Sequence, residues 1–239
     1  MSRLTRALVD AATSPFLRTA TVADVVEVGT EFRRIGLRGD GLVGASWKPG
    51  HKVQIRFGDG LTLRTYTPIR WDAESGATSI IAFLHGGGPG STALARIEIG
   101  ESLQLFGPRP SLRLEDIAGP ALFVGDETSI GLAVNRHEQS GQSDQTVWIF
   151  EAADPTAYRD VLAGLGIDAT VVPTAGSAPH DALRDSVLAA VAHAPSDPLI
   201  ITGRAQTISA LRSAIKTAGL GGQPTTVKAY WDERRTGLD

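Results

Sequence analysis

The sequence predicts a β domain followed by an α/β domain. The first is a six-stranded antiparallel Greek-key β-barrel over residues 1–117, with a short N-terminal helix ahead of it; the second is a parallel-sheet, Rossmann-like domain over residues 118–239. Three observations predict this. Between Thr19 and Leu114, short runs rich in branched and alternating apolar residues are separated by glycine and polar turn signals, as antiparallel strands require. After Gly119-Pro120 the apolar runs become short and continuous, as in strands covered on both faces. Between those later runs, apolar residues recur at helical spacing, and strands alternating with helices call for a parallel sheet with right-handed crossovers.

Composition narrows the function. The chain has 239 residues, enough for one large domain or two small ones. At 42% hydrophobic and 21% charged it has the balance of an ordinary globular protein. A net charge of −3 gives no global attraction to nucleic acid or to an anionic membrane, so an anionic substrate needs a local basic patch. With no cysteine, disulfides, thiolate iron–sulfur ligation and thiol redox chemistry are excluded. The start, Met1-Ser2-Arg3-Leu4-Thr5-Arg6, lacks the apolar core of a signal peptide. No stretch approaches the ~18 apolar residues of a membrane span. The expectation is a cytoplasmic protein with no membrane insertion and no nucleic-acid partner.

Taken in order, Leu4, Leu8 and Ala11-Ala12 ahead of Pro15 suggest the N-terminal helix. Strands are expected at Thr21-Val26, Glu31-Leu37 and Lys52-Phe57, the last with Val53, Ile55 and Phe57 on one face. Gly58-Asp59-Gly60 then turns the chain into the alternating run Leu61 to Ile69. Trp71 to Gly76 reads as a polar loop, and Ser79-Leu84 and Ser102-Phe106 complete the six. In the second half, strands are expected at Ala121-Val124, Val147-Phe150, Ala169-Val172, Leu199-Ile201 and Thr226-Trp231. Leu183, Val187 and Val191, and then Ile208, Leu211 and Ile215, mark helices between them.

Four segments and two single residues could carry chemistry. In Arg64-Thr65-Tyr66-Thr67, alternation puts Arg64 and Tyr66 on one face. There a guanidinium could hold a phosphate while the ring lies against a flat partner, with Thr67 at a ring edge if Pro68 ends the strand. A phosphate, a ring and a polar ring edge describe a flavin nucleotide; an ordinary half-exposed strand is the plainer alternative. His85-Gly86-Gly87-Gly88-Pro89-Gly90-Ser91-Thr92 follows a strand and could open a helix. Its glycines and hydroxyls suit a pyrophosphate, and equally a hairpin loop. Gly125-Asp126-Glu127-Thr128-Ser129 follows the first strand of the α/β half, where open parallel sheets bind ligands; a plain helix cap reads as well. Thr202-Gly203-Arg204 ends the fourth strand, offering close approach to a ring and a cation for phosphate, or merely a turn. Glu151 ends the second strand, where a carboxylate can accept from ribose hydroxyls or simply be solvated. Trp231 could cover a ring or belong to the core. No metal-ligand spacing and no Gly-x-Ser-x-Gly elbow is present.

In this order the motifs resemble the siderophore-interacting proteins, FAD-dependent ferric-siderophore reductases of the ferredoxin–NADP reductase-like superfamily. Arg64-Thr65-Tyr66-Thr67 resembles that family's flavin strand, and His85 to Ser91 its His-Gly-x-Gly-Pro-x-Ser segment. Gly107-Pro108-Arg109, Gly125-Asp126-Glu127-Thr128 and Tyr230-Trp231 with Arg234, Arg235 and Gly237 are similar to its later motifs. The chain departs from the family at Thr92-Ala93-Leu94, where a Trp is usual, and at Asp232-Glu233, where an Arg usually follows the Trp.

The resemblance implies an enzyme that passes electrons from NAD(P)H through FAD to a ferric siderophore, releasing ferrous iron. It implies catalytic roles for Tyr66, stacked on the flavin, and Thr67, near its reactive nitrogen. It implies FAD contacts from Arg64, Thr65, His85, Gly87, Gly88, Gly90, Ser91, Thr92, Asp126, Thr128 and Trp231. NAD(P)H contacts are expected from Gly125, Glu127, Glu151, Thr202, Gly203 and Arg204. A basic rim for an anionic siderophore is expected from Lys48, Lys52, Arg109, Arg234 and Arg235. NADH, NADPH and ferredoxin all stand open as donor. Two other readings share these residues: a general NAD(P)H:flavin or quinone oxidoreductase of the same fold, and a non-catalytic flavin- or ligand-binding protein.

Overall fold

Strand-forming runs dominate the first half of the chain, and the computed structural model turns them into one antiparallel sheet. The structure describes residues 17–58, 62–141, 145–174 and 181–233; the expected N-terminal helix lies outside them. The strands are β1 (Leu17–Gly29), β2 (Phe32–Arg38), β3 (Lys52–Phe57), β4 (Thr62–Tyr66), β5 (Pro68–Asp72), β6 (Ala77–Phe83) and β7 (Ser102–Arg109), in the order β4-β3-β7-β1-β2-β6-β5. A six-residue helix, α1 (Pro89–Leu94), leads from β6 toward β7.

The architecture is as expected, with two corrections. There are seven strands, not six, and no ladder among the described residues joins the edge strands β4 and β5 to close a barrel. Pro68 explains the extra strand. With no N–H to give, it ends the pairing of β4 with β3, whose last partners are Tyr66 and Val53. The chain then switches partner, and Pro68 pairs with Ile80 of β6. Trp71 and Asp72, read as loop from the sequence, therefore belong to β5.

Alternation along these strands builds the core. Val53, Ile55 and Phe57 of β3, Ile35 and Leu37 of β2, Ile80 and Ala82 of β6, and Leu103 and Leu105 of β7 are all buried together. Each of the larger side chains contributes about 1.5–3 kcal/mol by leaving water. Leu94 of α1, fully buried, joins the same cluster and fastens the helix to the sheet.

The second half has its own core. Strands β8 (Leu122–Gly125), β9 (Val147–Ala152), β10 (Ala169–Pro173), β11 (Leu199–Arg204) and β12 (Thr225–Trp231) form a parallel sheet in the order β10-β9-β8-β11-β12. Helices α2 (Ile130–Ser140), α3 (Pro155–Gly164), α4 (Asp181–His193) and α5 (Ala205–Thr217) alternate with them. Leu183, Val187 and Val191 of α4 and Ile208, Leu211 and Ile215 of α5 face the sheet, as their spacing predicts. Asp154 starts α3 by accepting from the N–H groups of Thr156 and Ala157 at 3.1 and 3.0 Å. Strand order reverses between β8 and β11, and the carboxyl ends of strands at such a reversal are where open parallel sheets bind ligands. The chain separates into two compact units between Ser111 and Leu112, with Val28–Thr30 grouped with the second.

Candidate functional site

In the first unit the glycine loop and the Arg-x-Tyr-Thr strand meet at one residue. A methyl group on Gly90 would lie 2.9 Å from Arg64 Cγ, 2.9 Å from Tyr66 Oη and 3.3 Å from Phe57 Cε2. Only a residue without a side chain lets the start of α1 approach β4 this closely. Arg64 and Tyr66 share a face, as alternation requires, and Arg64 Nη1 donates to the Leu63 carbonyl at 2.8 Å. The Tyr66 ring meets Phe57 edge-on, with centroids 6.4 Å apart. Burial pushes the Tyr66 phenol well above its ordinary value, more than the nearby Arg64 charge lowers it. Tyr66 is therefore a neutral aromatic surface at any physiological pH.

The rest of the loop is open. His85, Gly87 and Gly88 are exposed, and the His85 ring lies 5.8 Å from Phe83. Pro89 occupies the first helical position and Ser91 is buried. Thr92 donates its hydroxyl to the Gly88 carbonyl at 3.0 Å. That hydrogen is committed to the loop, which leaves backbone N–H groups at the helix start as the donors suited to a phosphate. Thr65 lies opposite Gln54 on β3, and Thr67 is half-buried at the break between β4 and β5.

Of the expected basic rim, Lys52 and Arg109 are register partners on β3 and β7, and Lys48 is exposed just before β3. Arg109 also donates to Gln54 Oε1. A groove of about 860 Å³ passes Arg109 and is lined by Arg18, Phe106 and Pro108 among others. Arg234 and Arg235 lie outside the described residues.

In the second unit the carboxyl ends of β8, β9, β11 and β12 carry a polar cluster turned inward. Asp126, 2% exposed, accepts from Trp231 Nε1 at 2.8 Å, from the Thr128 N–H at 2.9 Å and from the Thr128 hydroxyl. Gly203, at φ +105, brings its backbone so close that a side-chain carbon there would stand 2.3 Å from Asp126 Oδ2. Thr202 donates to Ser129 Oγ at 2.8 Å, and Ser129 in turn bonds the Asp126 N–H at 3.3 Å. The structure thus gathers Gly125, Asp126, Thr128, Thr202, Gly203 and Trp231 into one place.

Glu151 and Arg204 are buried, 2% and 1% exposed, where the sequence suggested solvent-facing contacts for ribose and phosphate. Thr207 links them: Arg204 Nε donates to its hydroxyl at 3.0 Å, and that hydroxyl donates to Glu151 Oε1 at 2.6 Å. Arg204 Nη1 also donates to Glu233 Oε1 at 2.9 Å. Glu151 Oε2 has no hydrogen-bond partner among the described residues. Glu127 accepts from the Ala153 N–H at 2.6 Å. Its carboxyl is pushed up to about 7, by burial first and by the charges of Asp126 and Glu151 in addition. Burial raises Asp126 and Glu151 as well.

Sequence reasoning missed Thr207, Tyr158, whose hydroxyl donates to the Asp126 carbonyl at 3.3 Å, and Gln206, which donates to Asp232 at 3.0 Å. None lies in a motif. The one available signal was Asp232-Glu233, an acidic pair that supplies the partners of Gln206 and Arg204. Among the described residues no group of three or more His, Cys, Asp or Glu could hold a metal ion, and no helix is long and apolar enough to cross a membrane.

Comparison with known proteins finds a family model that matches part of the first unit. Residues 56–112, which span β4, the glycine loop and α1, match the model of the siderophore-interacting FAD-binding domain. The resemblance read from the motifs is borne out over that segment. A siderophore utilization protein from T. fusca has the same fold, with a TM-score of 0.73 at 22% identity, covering 93% of this chain and 95% of that one. The siderophore-interacting protein SipS from Aeromonas hydrophila gives a TM-score of 0.73 at 19% identity, covering 91% and 98%. A ferredoxin reductase in carbazole 1,9a-dioxygenase gives 0.67 at 17%, covering 90% of this chain and 69% of its own. Among curated proteins none matches this chain significantly.

Proposed function

We propose that the chain is a flavin-dependent reductase that takes electrons from NADH or NADPH and delivers them through FAD to ferric siderophores, releasing ferrous iron. The observation that carries this is Gly90, set against Arg64 and Tyr66 inside the segment that matches the FAD-binding domain. That cradle supplies what FAD requires: a guanidinium and backbone N–H groups for a diphosphate, beside a neutral aromatic ring for a flat tricycle. When bound, FAD takes up electrons in pairs and gives them singly, the chemistry that a one-electron acceptor such as ferric iron needs.

The protein's own part is positional. Arg64 and the loop from Gly87 to Ser91 hold the diphosphate, Tyr66 covers the ring, and Thr67 sits at the strand break where a ring edge would lie. No side chain has to act as a general base. Lys48, Lys52 and Arg109 offer positive charge to an anionic siderophore, and the strand ends at Gly125 and Thr202-Gly203 receive the nicotinamide nucleotide. Ferrous iron binds hard oxygen ligands less tightly than ferric iron, so reduction loosens the metal.

The test is ferrous-iron trapping with a panel of ferric siderophores, NADH and NADPH. Iron release well above a free-flavin control is expected. Release no faster than that control would remove the siderophore and leave the second reading, a general NAD(P)H:flavin or quinone reductase, which the fold shared with a ferredoxin reductase favours.

A further inference from the structure

Helix α1 presents Gly90 to Arg64 and Tyr66, yet it is six residues long. So short a helix does not hold its own shape or place. Leu94 anchors it to the core at one point. A further, polar hold comes from β2. Arg33 Nη1 donates to the carbonyl of Leu94 at 3.4 Å and to that of Ala95 at 2.5 Å. Its Nε is paired with Glu27 Oε1 at 2.6 Å, which fixes the fork. Arg33 itself cannot drift, because β2 pairs along its whole length with β6, Arg33 lying opposite Ala82. A cation at the last carbonyls of a helix both satisfies them and favours their negative end.

We propose that Arg33 is a positioning residue for the cofactor: by gripping the far end of α1 it sets how closely Gly90 and Ser91 approach the face bearing Arg64 and Tyr66, and so the fit of the FAD diphosphate. This rests on the FAD reading above. No side-chain carbon would fit between Gly90 and the face of Arg64 and Tyr66, so a small shift of α1 changes the cradle directly. Arg34, the next residue, is the natural control. It is more exposed than Arg33 and pairs with Asp24 at 3.5 Å, with no bond to α1.

The experiment measures FAD affinity of the full chain by quenching of flavin fluorescence, and the ³¹P resonances of the bound diphosphate. Arg33→Ala should weaken FAD binding about tenfold, the scale of one charge-assisted hydrogen bond. It should move the ³¹P resonances while leaving the visible band of the flavin ring in place, a split that general loosening of the fold does not produce. Arg33→Lys, which can still reach one carbonyl, should fall between, and it carries the comparison if the alanine variant does not fold. Arg34→Ala, which removes the same charge from the same strand, should match wild type. Unchanged affinity in both Arg33 variants, or an equal loss in Arg34→Ala, would overturn the proposal alone. Failure of the wild-type chain to bind FAD would overturn the functional reading with it.

Discussion

At Gly90 a single methyl group is enough to test the cradle. It would press on Arg64 Cγ and Tyr66 Oη, both at 2.9 Å, and overpacking of this kind costs about 1–3 kcal/mol. The helix itself tolerates alanine. Gly90→Ala is therefore expected to lower FAD occupancy while the protein stays folded, seen as loss of the flavin absorbance after gel filtration. Arg64→Ala removes the guanidinium directly and should weaken FAD about tenfold or more; full occupancy in that variant would cancel its role. Glu127 gives a second residue-level test, in the other unit. Its carboxyl, ordinarily near 4.5, is raised to about 7 in the folded chain, chiefly by burial. A raised value means the folded state holds a proton that the unfolded state has lost. The stabilisation this brings is complete below pH 4.5 and disappears as pH climbs through 7. Glu127→Gln stays neutral throughout. The variant's advantage in melting temperature over wild type should grow between those limits, and a gap independent of pH would refute the shift.

Elements show what the sequence can and cannot say. The alternation of Val53, Ile55 and Phe57, and the four-residue spacing of Leu183, Val187 and Val191, are local, so strand and helix are read from them directly. The extra strand β5 is not legible from local pattern, because Pro68 signals an end when it is also a beginning with a new partner across the turn. The inward polar cluster is only partly legible: its short-range bonds, such as Thr128 to Asp126, fall inside a segment the sequence marks, but others join residues far apart in the chain. Trp231 and Asp126 are separated by 105 positions and, in the first unit, Arg33 and Ala95 by 62, and no local pattern marks such pairs. The end of β12 is fastened by three consecutive residues: Trp231 to Asp126, Asp232 to Gln206 and Glu233 to Arg204. Trp231→Phe keeps an aromatic but smaller side chain and withdraws one donor from a buried carboxyl, a loss of about 1–3 kcal/mol. A lower denaturant midpoint for the second unit is expected, and an unchanged midpoint would mean that the bond contributes nothing.

Across the whole molecule, two cores support two kinds of ligand chemistry. The first unit offers a guanidinium, a glycine loop and a neutral ring; the second offers the reversal of strand order, flanked by Asp126, Glu127 and Glu151, whose carboxyls burial raises above their ordinary values. A dinucleotide phosphate entering at that reversal meets Arg204 already engaged by Glu233 and close to Glu151. The nicotinamide nucleotide is thus expected to bind there more weakly than FAD binds in the first unit, as suits a substrate that must leave after each turnover. Hydrogen exchange with each ligand separates the two. Saturating FAD should slow exchange in β3, β4 and the loop into α1. A non-reacting nicotinamide nucleotide, added to the FAD-loaded protein at millimolar concentration, should slow exchange at residues 125–128 and 202–206. If FAD instead protects the carboxyl ends of β8 and β11 and leaves the glycine loop unchanged, the assignment of cofactor to the first unit is wrong, whatever activity the protein shows.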